Sequence, residues 1–291
     1  MKIGIVGLGS MGYGMASSLL RAGHVVCGAD VNPAAVDRLH AEGAAPWTLE
    51  LEALVVVVLN AAQVEAVLFG AEGVAAQLPP GAVVICCVTV APDFARTIAA
   101  RCEALGLQYL DAPISGGSLK AAAGKLSVMA SGTAAAFAAA RPMLQATAEK
   151  VFELGDSAGM GSAMKAVNQM LAGVHIAAMA EAVTFGMTQG ITPETFLSVI
   201  PDCAGTSWML ENRAPHIVAG DYTPYSAVDI WPKDLGIVLD AARAAKFAAP
   251  LTAAALQQFV AASGMGFGRQ DDAAVAKVYA RNASLTLPGE G

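Results

Sequence analysis

KIGIVGLGSMG, residues 2–12, decides the fold of the first half of this chain of 291 residues. The apolar run that ends at Val6 has the composition of a buried strand, and the residues after Gly12 are typical of a helix. Glycines at positions 7, 9 and 12 form a G-x-G-x-x-G pattern between these two elements. The pattern alone is a weak indication of a ligand site, because a tight turn without a ligand can also be rich in glycine.

Asp30 strengthens the interpretation of the pattern as a dinucleotide loop, because it ends the second strand-like run, residues 25–30. In such a loop Gly7 permits the tight turn, Gly9 lets a pyrophosphate approach the backbone, and Gly12 allows close helix–strand packing. The phosphates then lie at the helix N-terminus. Asp30 would accept hydrogen bonds from the adenine ribose and repel a 2′-phosphate, so the sequence predicts NAD rather than NADP. The predicted cofactor-binding residues of this region are Gly7, Leu8, Gly9, Ser10, Met11, Gly12 and Asp30.

Strand-like and helix-like segments alternate as far as about residue 155. The predicted strands are residues 2–6, 25–30, 54–59, 82–88, 108–111, 126–130 and 150–153. Short apolar strands separated by helices predict a mostly parallel sheet that is covered on both faces. Beyond residue 155, strand-like runs disappear and apolar residues recur at helical spacing. We therefore predict an α/β fold, with a Rossmann-type doubly wound domain in residues 1–158 and an all-helical domain in residues 159–291.

Composition excludes several classes of partner. Charged residues make up 14% of the chain, the net charge is −7, and no basic run occurs, so we expect no nucleic-acid partner. The hydrophobic content of 55% raises the possibility of a membrane span, for which residues 167–187 are the best candidate. Asn168, Gln169, His175 and Glu181 interrupt that stretch, so we expect a helix buried between protein surfaces and no membrane partner.

Cysteine and histidine usage indicates the compartment and limits the chemistry. The five cysteines are odd in number and form no C-x-x-C pair, so we expect buried free thiols. The first residues read as a strand and not as a signal peptide, and both observations favour a cytoplasmic location. The four histidines lack metal-ligand spacing and no G-x-S-x-G elbow occurs, so we predict neither a metal site nor serine acyl transfer.

Four motifs in order carry a resemblance that covers nearly the whole chain. They are GLGSMGYGMASSL at 7–19, DAPISGGSLKAAAGKLSVMASG at 111–132, GMGSAMKAVNQM at 159–170 and KDLGIVLDAA at 233–242. Together they resemble the β-hydroxyacid dehydrogenases, a family that includes 3-hydroxyisobutyrate dehydrogenase and tartronate semialdehyde reductase. The resemblance implies NAD-dependent oxidation of a small hydroxy acid.

The resemblance also implies roles for residues outside the glycine-rich loop. The residues implied to bind the substrate carboxylate are Ser115, Gly116 and Gly117. Those implied to contact the cofactor are Asn60, Thr89 and Lys233. Val88 stands where the family more often has a serine, which removes one hydroxyl from the cofactor contact.

Lys165 is the predicted catalytic residue, because hydride transfer from an alcohol also requires a base for the hydroxyl proton. Lys165 and Asn168 are three residues apart and so share one helical face, on which Lys165 is the only ionisable residue. A lysine acts as a base only when neutral, so its pKa must lie well below about 10.4, through burial and a neighbouring cation such as Lys233. Asn168 would hold Lys165 or the reacting oxygen. The alternative is a helix lysine that only extends to solvent.

Residues 204–238 resemble the branch of the family that oxidises four-carbon sugar acids, although Tyr225 and Pro232 are unusual there. The implied reaction is oxidation of L-threonate at carbon 2 to 2-oxo-tetronate, with Ser207, Trp208, Asn212 and Asp229 as additional polar partners. The alternatives are 3-hydroxyisobutyrate or tartronate semialdehyde chemistry, or an imine-reductase-like or non-catalytic cofactor-binding relative. For the segment itself, the alternative is that it only packs between helices, with Trp208 in the core or at a dimer contact.

The apolar stretch from about residue 160 to 189 resembles the family's long interdomain helix. It carries more apolar surface than one small domain would bury, so we expect a homodimer or homotetramer formed through the helical domains.

Overall fold

A computed structural model describes residues 1–290. The chain divides into two compact units, the first spanning Met1–Lys165 and the second beginning at Ala166. The first unit is built on β-strands flanked by helices, and every regular element from Ala166 to residue 290 is helical. The predicted fold class, α/β with a Rossmann-type sheet followed by a helical region, is confirmed.

Five parallel strands form the main sheet of the first unit, in the order β2-β1-β3-β4-β5. They are β1 (Lys2–Val6), β2 (Val25–Ala29), β3 (Ala53–Val56), β4 (Val83–Cys86) and β5 (Gln108–Asp111). All residues of β3 and β4 are buried, as expected for central strands covered on both faces. The predicted strands at 54–59 and 82–88 were too long, because the apolar residues after Val56 and Cys86 lie beyond the ends of β3 and β4. Val57 still donates its N–H to the Val6 carbonyl at 2.8 Å, and its own carbonyl then packs against Gly7.

The first unit also contains a second, separate sheet of three strands. It contains β6 (Ile114–Ser115), β7 (Leu126–Ala130) and β8 (Ala148–Glu153), in the order β6-β7-β8. β7 pairs antiparallel with β6 and parallel with β8. β6 was not predicted, because two residues are too few to show a period. A bridge between Asp111 and Ser131 joins the end of β5 to the residue after β7.

Six helices pack around the strands of the first unit. They are α1 (Ser10–Arg21), α2 (Pro33–Ala41), α3 (Ala61–Phe69), α4 (Pro92–Ala104), α5 (Gly117–Ala123) and α6 (Ala134–Thr147). Local signals set several of their starts: Asn60 and Thr133 cap α3 and α6, and Pro33 and Pro92 occupy the first positions of α2 and α4.

The second unit is formed by helices around a separate apolar core. α7 (Met160–Thr188) starts in the first unit and continues into the second. The helices that follow are α8 (Pro193–Val199), α9 (Trp208–Ala219), α10 (Ile230–Ala244), α11 (Pro250–Ala262) and α12 (Ala276–Asn282). Gly173 permits close packing of α7 and α10, because a Cβ there would lie 2.8 Å from a methyl of Leu235. The Trp231 and Phe259 rings stack with centroids 5.4 Å apart.

α7 is long and apolar enough to cross a membrane by length and composition alone, and half of its apolar window is buried within the protein. The core helix of a soluble protein meets the same criteria.

The cysteines carry free thiols, of which Cys27, Cys86, Cys87 and Cys102 are buried as expected. Cys203 is exposed, contrary to expectation, because it follows a short helical turn at the surface.

Candidate active site

The three positions 7, 9 and 12 in the loop between β1 and α1 are glycine for different structural reasons. Gly7 has φ +95°, and a Cβ there would lie 2.3 Å from the Val57 carbonyl oxygen. A Cβ on Gly12 would lie 1.8 Å from the Gly7 carbonyl oxygen. A Cβ on Gly9 would meet nothing within 4 Å. The fold therefore requires glycine at positions 7 and 12, whereas at position 9 the protein itself leaves room for a side chain, as expected if a ligand approaches there.

Asp30 lies directly after β2, and its carboxylate is tied to the glycine-rich loop. Oδ2 accepts a hydrogen bond of 2.5 Å from the Leu8 backbone N–H, and Oδ1 accepts one of 2.7 Å from the Asn32 N–H. Each oxygen keeps a second lone pair for a ribose hydroxyl. The next residue, Val31, is fully exposed and offers no cation for a 2′-phosphate. Together with the open approach at Gly9, this arrangement fits NAD.

Other predicted cofactor residues follow neighbouring strands of the same sheet. Asn60 comes after β3 and Thr89 after β4, and the carboxyl ends of parallel strands lie at one edge. The strand order reverses between β1 and β3, which is where ligands bind in open α/β sheets. Asn60 also has a local role, since its Oδ1 accepts a 2.9 Å hydrogen bond from the Gln63 N–H at the start of α3.

Ser115, Gly116 and Gly117 form the connection from β6 to α5. Gly116 and Gly117 both have positive φ, at +135° and +75°. Two consecutive residues in this region strongly favour glycine, because other side chains would be strained there. The half-buried Ser115 hydroxyl and these backbone N–H groups are the donor types that bind a carboxylate.

Asp111, at the end of β5, anchors the start of α7, a role that was not predicted from the sequence. Its fully buried carboxylate accepts hydrogen bonds from the Gly159 N–H (2.9 Å), the Ser162 N–H (2.8 Å) and the Ser162 hydroxyl (2.7 Å). Burial raises the pKa of Asp111, and these hydrogen bonds oppose the rise. The available signal was an acidic residue at the end of an apolar strand, at the head of the second motif.

Lys165 follows Ser162 by one helical turn on α7, and only 8% of it is exposed. A lysine that merely extends to solvent would be much more exposed. The carboxylate of Asp111 therefore holds the turn of α7 that directly precedes the predicted base.

In the second unit, two predicted residues are connected by two that were not predicted. Asn168 Nδ2 donates a 2.9 Å hydrogen bond to Gln169 Oε1, and Gln169 Nε2 donates one of 2.5 Å to Asp234 Oδ2. Lys233 Nζ lies 2.7 Å from Asp234 Oδ1. The structure thus links Asn168, through Gln169, to one oxygen of the Asp234 carboxylate, while Lys233 lies at the other. The neighbours of the predicted residues, at 169 and 234, were the available signal.

The polar residues of segment 204–238 already have partners within the second unit. Ser207 Oγ accepts from the Leu210 N–H at 3.1 Å and caps α9, while Asn212 Nδ2 donates to the Trp208 carbonyl at 3.0 Å. Asp229 Oδ1 accepts from the Ser263 hydroxyl at 2.6 Å. These contacts account for the three side chains by local structure and do not by themselves identify a substrate.

The two unusual residues of that segment fit their surroundings. The Tyr225 ring packs edge-on against His216, with centroids 4.7 Å apart. Pro232 lies in the first turn of α10, where a backbone N–H has no helical partner.

Comparison with known proteins places both parts of the chain. Residues 2–155 match the family described as the NAD binding domain of 6-phosphogluconate dehydrogenase. Residues 159–279 match the family described as NAD-binding of NADP-dependent 3-hydroxyisobutyrate dehydrogenase.

Similar proteins extend over nearly the full length. L-threonate dehydrogenase of Cupriavidus necator is 49% identical, covering 99% of this chain and 98% of that protein. L-threonate dehydrogenase of Escherichia coli strain K12 is 48% identical, covering 99% and 96%. The crystal structure of 3-hydroxyisobutyrate dehydrogenase from Salmonella typhimurium is 49% identical with a TM-score of 0.91, covering 96% and 99%. The chain belongs to the 3-hydroxyisobutyrate dehydrogenase-like family and is an NAD-dependent dehydrogenase of small hydroxy acids.

Proposed function

We propose that this enzyme oxidises L-threonate at carbon 2 to 2-oxo-tetronate (2-dehydro-L-erythronate), with Lys165 as the general base. The observation that carries the mechanism is the burial of Lys165, which is 8% exposed on a helix whose start is tied to β5 through Asp111. The observation that supports the substrate is the identity of 48–49% with proteins named L-threonate dehydrogenase over nearly the whole length.

The reaction divides into two transfers, a hydride from the hydroxyl-bearing carbon and a proton from the hydroxyl group on that carbon. NAD, when bound, accepts the hydride. Lys165 takes the hydroxyl proton in oxidation and returns it in the reverse direction. Because Asp111 holds the backbone of the preceding turn, Lys165 is presented from a rigid helix, as required for a general base within hydrogen-bond reach of its substrate.

Three sets of residues hold the reactants in this proposal. The loop from Gly7 to Gly12 and Asp30 bind the cofactor, with Asn60, Thr89 and Lys233 as further contacts. Ser115 and the backbone of Gly116 and Gly117 bind the substrate carboxylate, and Asn168 binds near the reacting hydroxyl. We also propose that the functional division falls at residue 158, with NAD binding before it and substrate binding and oligomerisation after it.

The test is a panel of initial rates of reduced-nicotinamide formation. The acids are L-threonate, D-threonate, D-erythronate, 3-hydroxyisobutyrate and D-glycerate, each with NAD or NADP. The proteins are wild type, Lys165→Ala and Lys150→Ala, the last being a control that removes a lysine from the exposed strand β8. We expect L-threonate with NAD to give the highest kcat/KM, and only Lys165→Ala to lose it by about 10²-fold or more.

Two outcomes would contradict separate parts of the proposal. Full turnover by Lys165→Ala would refute the assignment of the base. Loss of turnover by this variant together with a preference for another acid would leave the mechanism intact and refute L-threonate. 3-Hydroxyisobutyrate is the second candidate substrate, because the Salmonella typhimurium protein named 3-hydroxyisobutyrate dehydrogenase is 49% identical to this chain.

We further propose that the enzyme is a homodimer or homotetramer in which α7 contacts a second copy. Met160, Met164, Val167 and Leu171 recur every three or four residues along α7, and each is at least 43% exposed. Phe185, farther along, is 64% exposed. An exposed apolar stripe such as that from Met160 to Leu171 is typical of a subunit interface.

Sedimentation at micromolar concentration tests the assembly. Wild type should sediment as a dimer or larger, and Leu171→Glu should shift it toward the monomer, whereas Lys150→Ala should not. A compact wild-type monomer would refute the proposal.

We also propose a cytoplasmic location, which the five free thiols support and which cell fractionation would test.

A further inference from the structure

We infer that Gln169 and Asp234 are positioning residues, which orient the Asn168 amide through a directional hydrogen-bond chain and hold Lys233 at the same carboxylate. The inference rests on the proposed function, in which Asn168 contacts the substrate and Lys233 the cofactor.

The two residues are deeply buried where α7 meets α10. Asp234 is 3% exposed and Gln169 is 7% exposed. Gly173, one turn beyond Gln169, lets the two helices approach closely, because a Cβ there would lie 2.8 Å from Leu235. A carboxylate at such a depth requires compensation for its lost hydration. The Gln169 NH₂ group donates to Oδ2, and the Lys233 ammonium lies 2.7 Å from Oδ1 as an ion pair.

The direction of the chain follows from the carboxylate. An ionised carboxylate only accepts hydrogen bonds, so Gln169 must turn its NH₂ group toward Asp234. The carbonyl end of the Gln169 amide then faces Asn168, and it too can only accept. Asn168 must therefore turn its own NH₂ toward Gln169. Without Asp234, either amide could be reversed at little cost, because the oxygen and nitrogen ends of an amide have nearly the same shape.

The consequence for the site is a defined polarity. Oδ1 and Nδ2 of an asparagine point to opposite sides of Cγ, so Asn168 presents Oδ1 on the side away from Gln169. An acceptor there suits a hydroxyl of the substrate, and it disfavours a carboxylate. This agrees with assigning the carboxylate to Ser115, Gly116 and Gly117. Asp234 thus determines both the atom that Asn168 offers and the position of the Lys233 ammonium.

Single variants separate the two arms of Asp234. Gln169→Met keeps a similar shape, removes the link to Asn168 and leaves the pair of Lys233 with Asp234. We expect kcat/KM for the preferred acid to fall by about tenfold or more, the effect of losing one charge-assisted bond, with NADH affinity within about twofold of wild type. Asp234→Asn should lower kcat/KM similarly and also weaken NADH binding, since Lys233 loses its anionic partner.

A double variant tests the direction of the chain. In Asp234→Asn with Gln169→Glu, the carboxylate moves to position 169 and accepts from the amides at both 168 and 234. Asn168 then keeps its native orientation. We expect kcat/KM to recover severalfold or more relative to Asp234→Asn alone, while NADH affinity stays weak.

The control is Thr184→Val, also on α7 and 3% exposed, whose hydroxyl donates only to backbone carbonyls of its own helix. It should match wild type in both measurements. Steady-state rates, NADH titration by fluorescence and thermal midpoints are measured for every protein, and variants within a few degrees of wild type are compared.

Three results would overturn the inference. The first is wild-type kcat/KM in Gln169→Met, and the second is a folded double variant with no recovery. The third concerns NADH binding. If wild type oxidises none of the acids, the proposed function is refuted, and the role of Asp234 in holding Lys233 is judged by NADH affinity alone. Unchanged NADH affinity in Asp234→Asn would then overturn that role as well.

Discussion

Gly9 and Gly12 occupy one loop, and adding a methyl group to each should have opposite consequences. In Gly12→Ala the new Cβ would lie 1.8 Å from the Gly7 carbonyl oxygen and 3.3 Å from the Val57 Cβ. Ordinary contacts need more than an ångström of additional separation, which only backbone movement can supply. We expect the free energy of unfolding to fall by about 3 kcal/mol or more, the upper end for overpacking.

In Gly9→Ala the methyl group meets no protein atom within 4 Å, and the backbone (φ −68°, ψ −165°) is accessible to alanine. Replacing glycine at the N-cap by alanine costs up to about 1 kcal/mol, so stability should change little. NAD affinity should nevertheless fall by about tenfold to a hundredfold, because the methyl moves the pyrophosphate away from the N–H groups of α1. Each charge-assisted hydrogen bond contributes about 1.5–3 kcal/mol.

The two variants are compared by urea unfolding, followed by circular dichroism, and by NADH titration. Lys150→Ala, on the exposed strand β8 outside the loop, is the control for a substitution that touches neither the loop nor the cofactor path. Wild-type NADH affinity in Gly9→Ala would refute the placement of the cofactor at this loop. Wild-type stability in Gly12→Ala would refute the close contact between positions 7 and 12.

Three other predictions concern buried or cofactor-facing carboxylates. Asp111→Ala should lower the free energy of unfolding by about 3–5 kcal/mol in urea titrations, because it leaves buried donors unpaired, whereas Asp111→Asn should cost less than half as much. Asp30→Ser with Val31→Arg should raise the ratio of NADP to NAD in kcat/KM, since it removes the anion beside the ribose and adds a cation at a fully exposed position. Asp272 is fully buried in the second unit, where it accepts hydrogen bonds from the Arg213 guanidinium and the Trp231 indole N–H. Burial raises the pKa of Asp272 from 3.8 to about 6, so its stabilising contribution is present below about pH 4 and is lost as the pH rises through about 6. The stability cost of Asp272→Asn should therefore be smaller at about pH 7.5 than at about pH 4.5, as measured by urea midpoints.

Local patterns in the sequence were sufficient for the elements of the first unit. The strands at 2–6, 108–111 and 126–130 have the predicted bounds. Alternation of short apolar runs with helices implies parallel pairing, so the fold class followed without any knowledge of register. The division into two sheets did not follow, because β6 is too short to be recognised and because β-pairing partners are distant in sequence.

The glycine-rich loop shows the same limit within the candidate site. Its spacing predicted a dinucleotide loop, and the carboxylate of Asp30 contacts that loop through Leu8. The different reasons for the three glycines became visible only in the folded loop, where the Gly7 carbonyl excludes a side chain at position 12, Val57 excludes one at position 7, and nothing excludes one at position 9. The predicted roles of Lys165, Asn168 and the Ser115–Gly117 segment stay predictions.

The sequence by itself determined the alternation of strands and helices, the dinucleotide loop and the family, because each depends on residues that are close along the chain or on motifs in order. Only the tertiary structure revealed that Asp111 accepts hydrogen bonds from the start of α7 and that Asp234 accepts one from Gln169. Their partners lie 48–51 and 65 residues away in sequence. A buried carboxylate is defined by the donors that surround it, and no local pattern records which distant segments supply them.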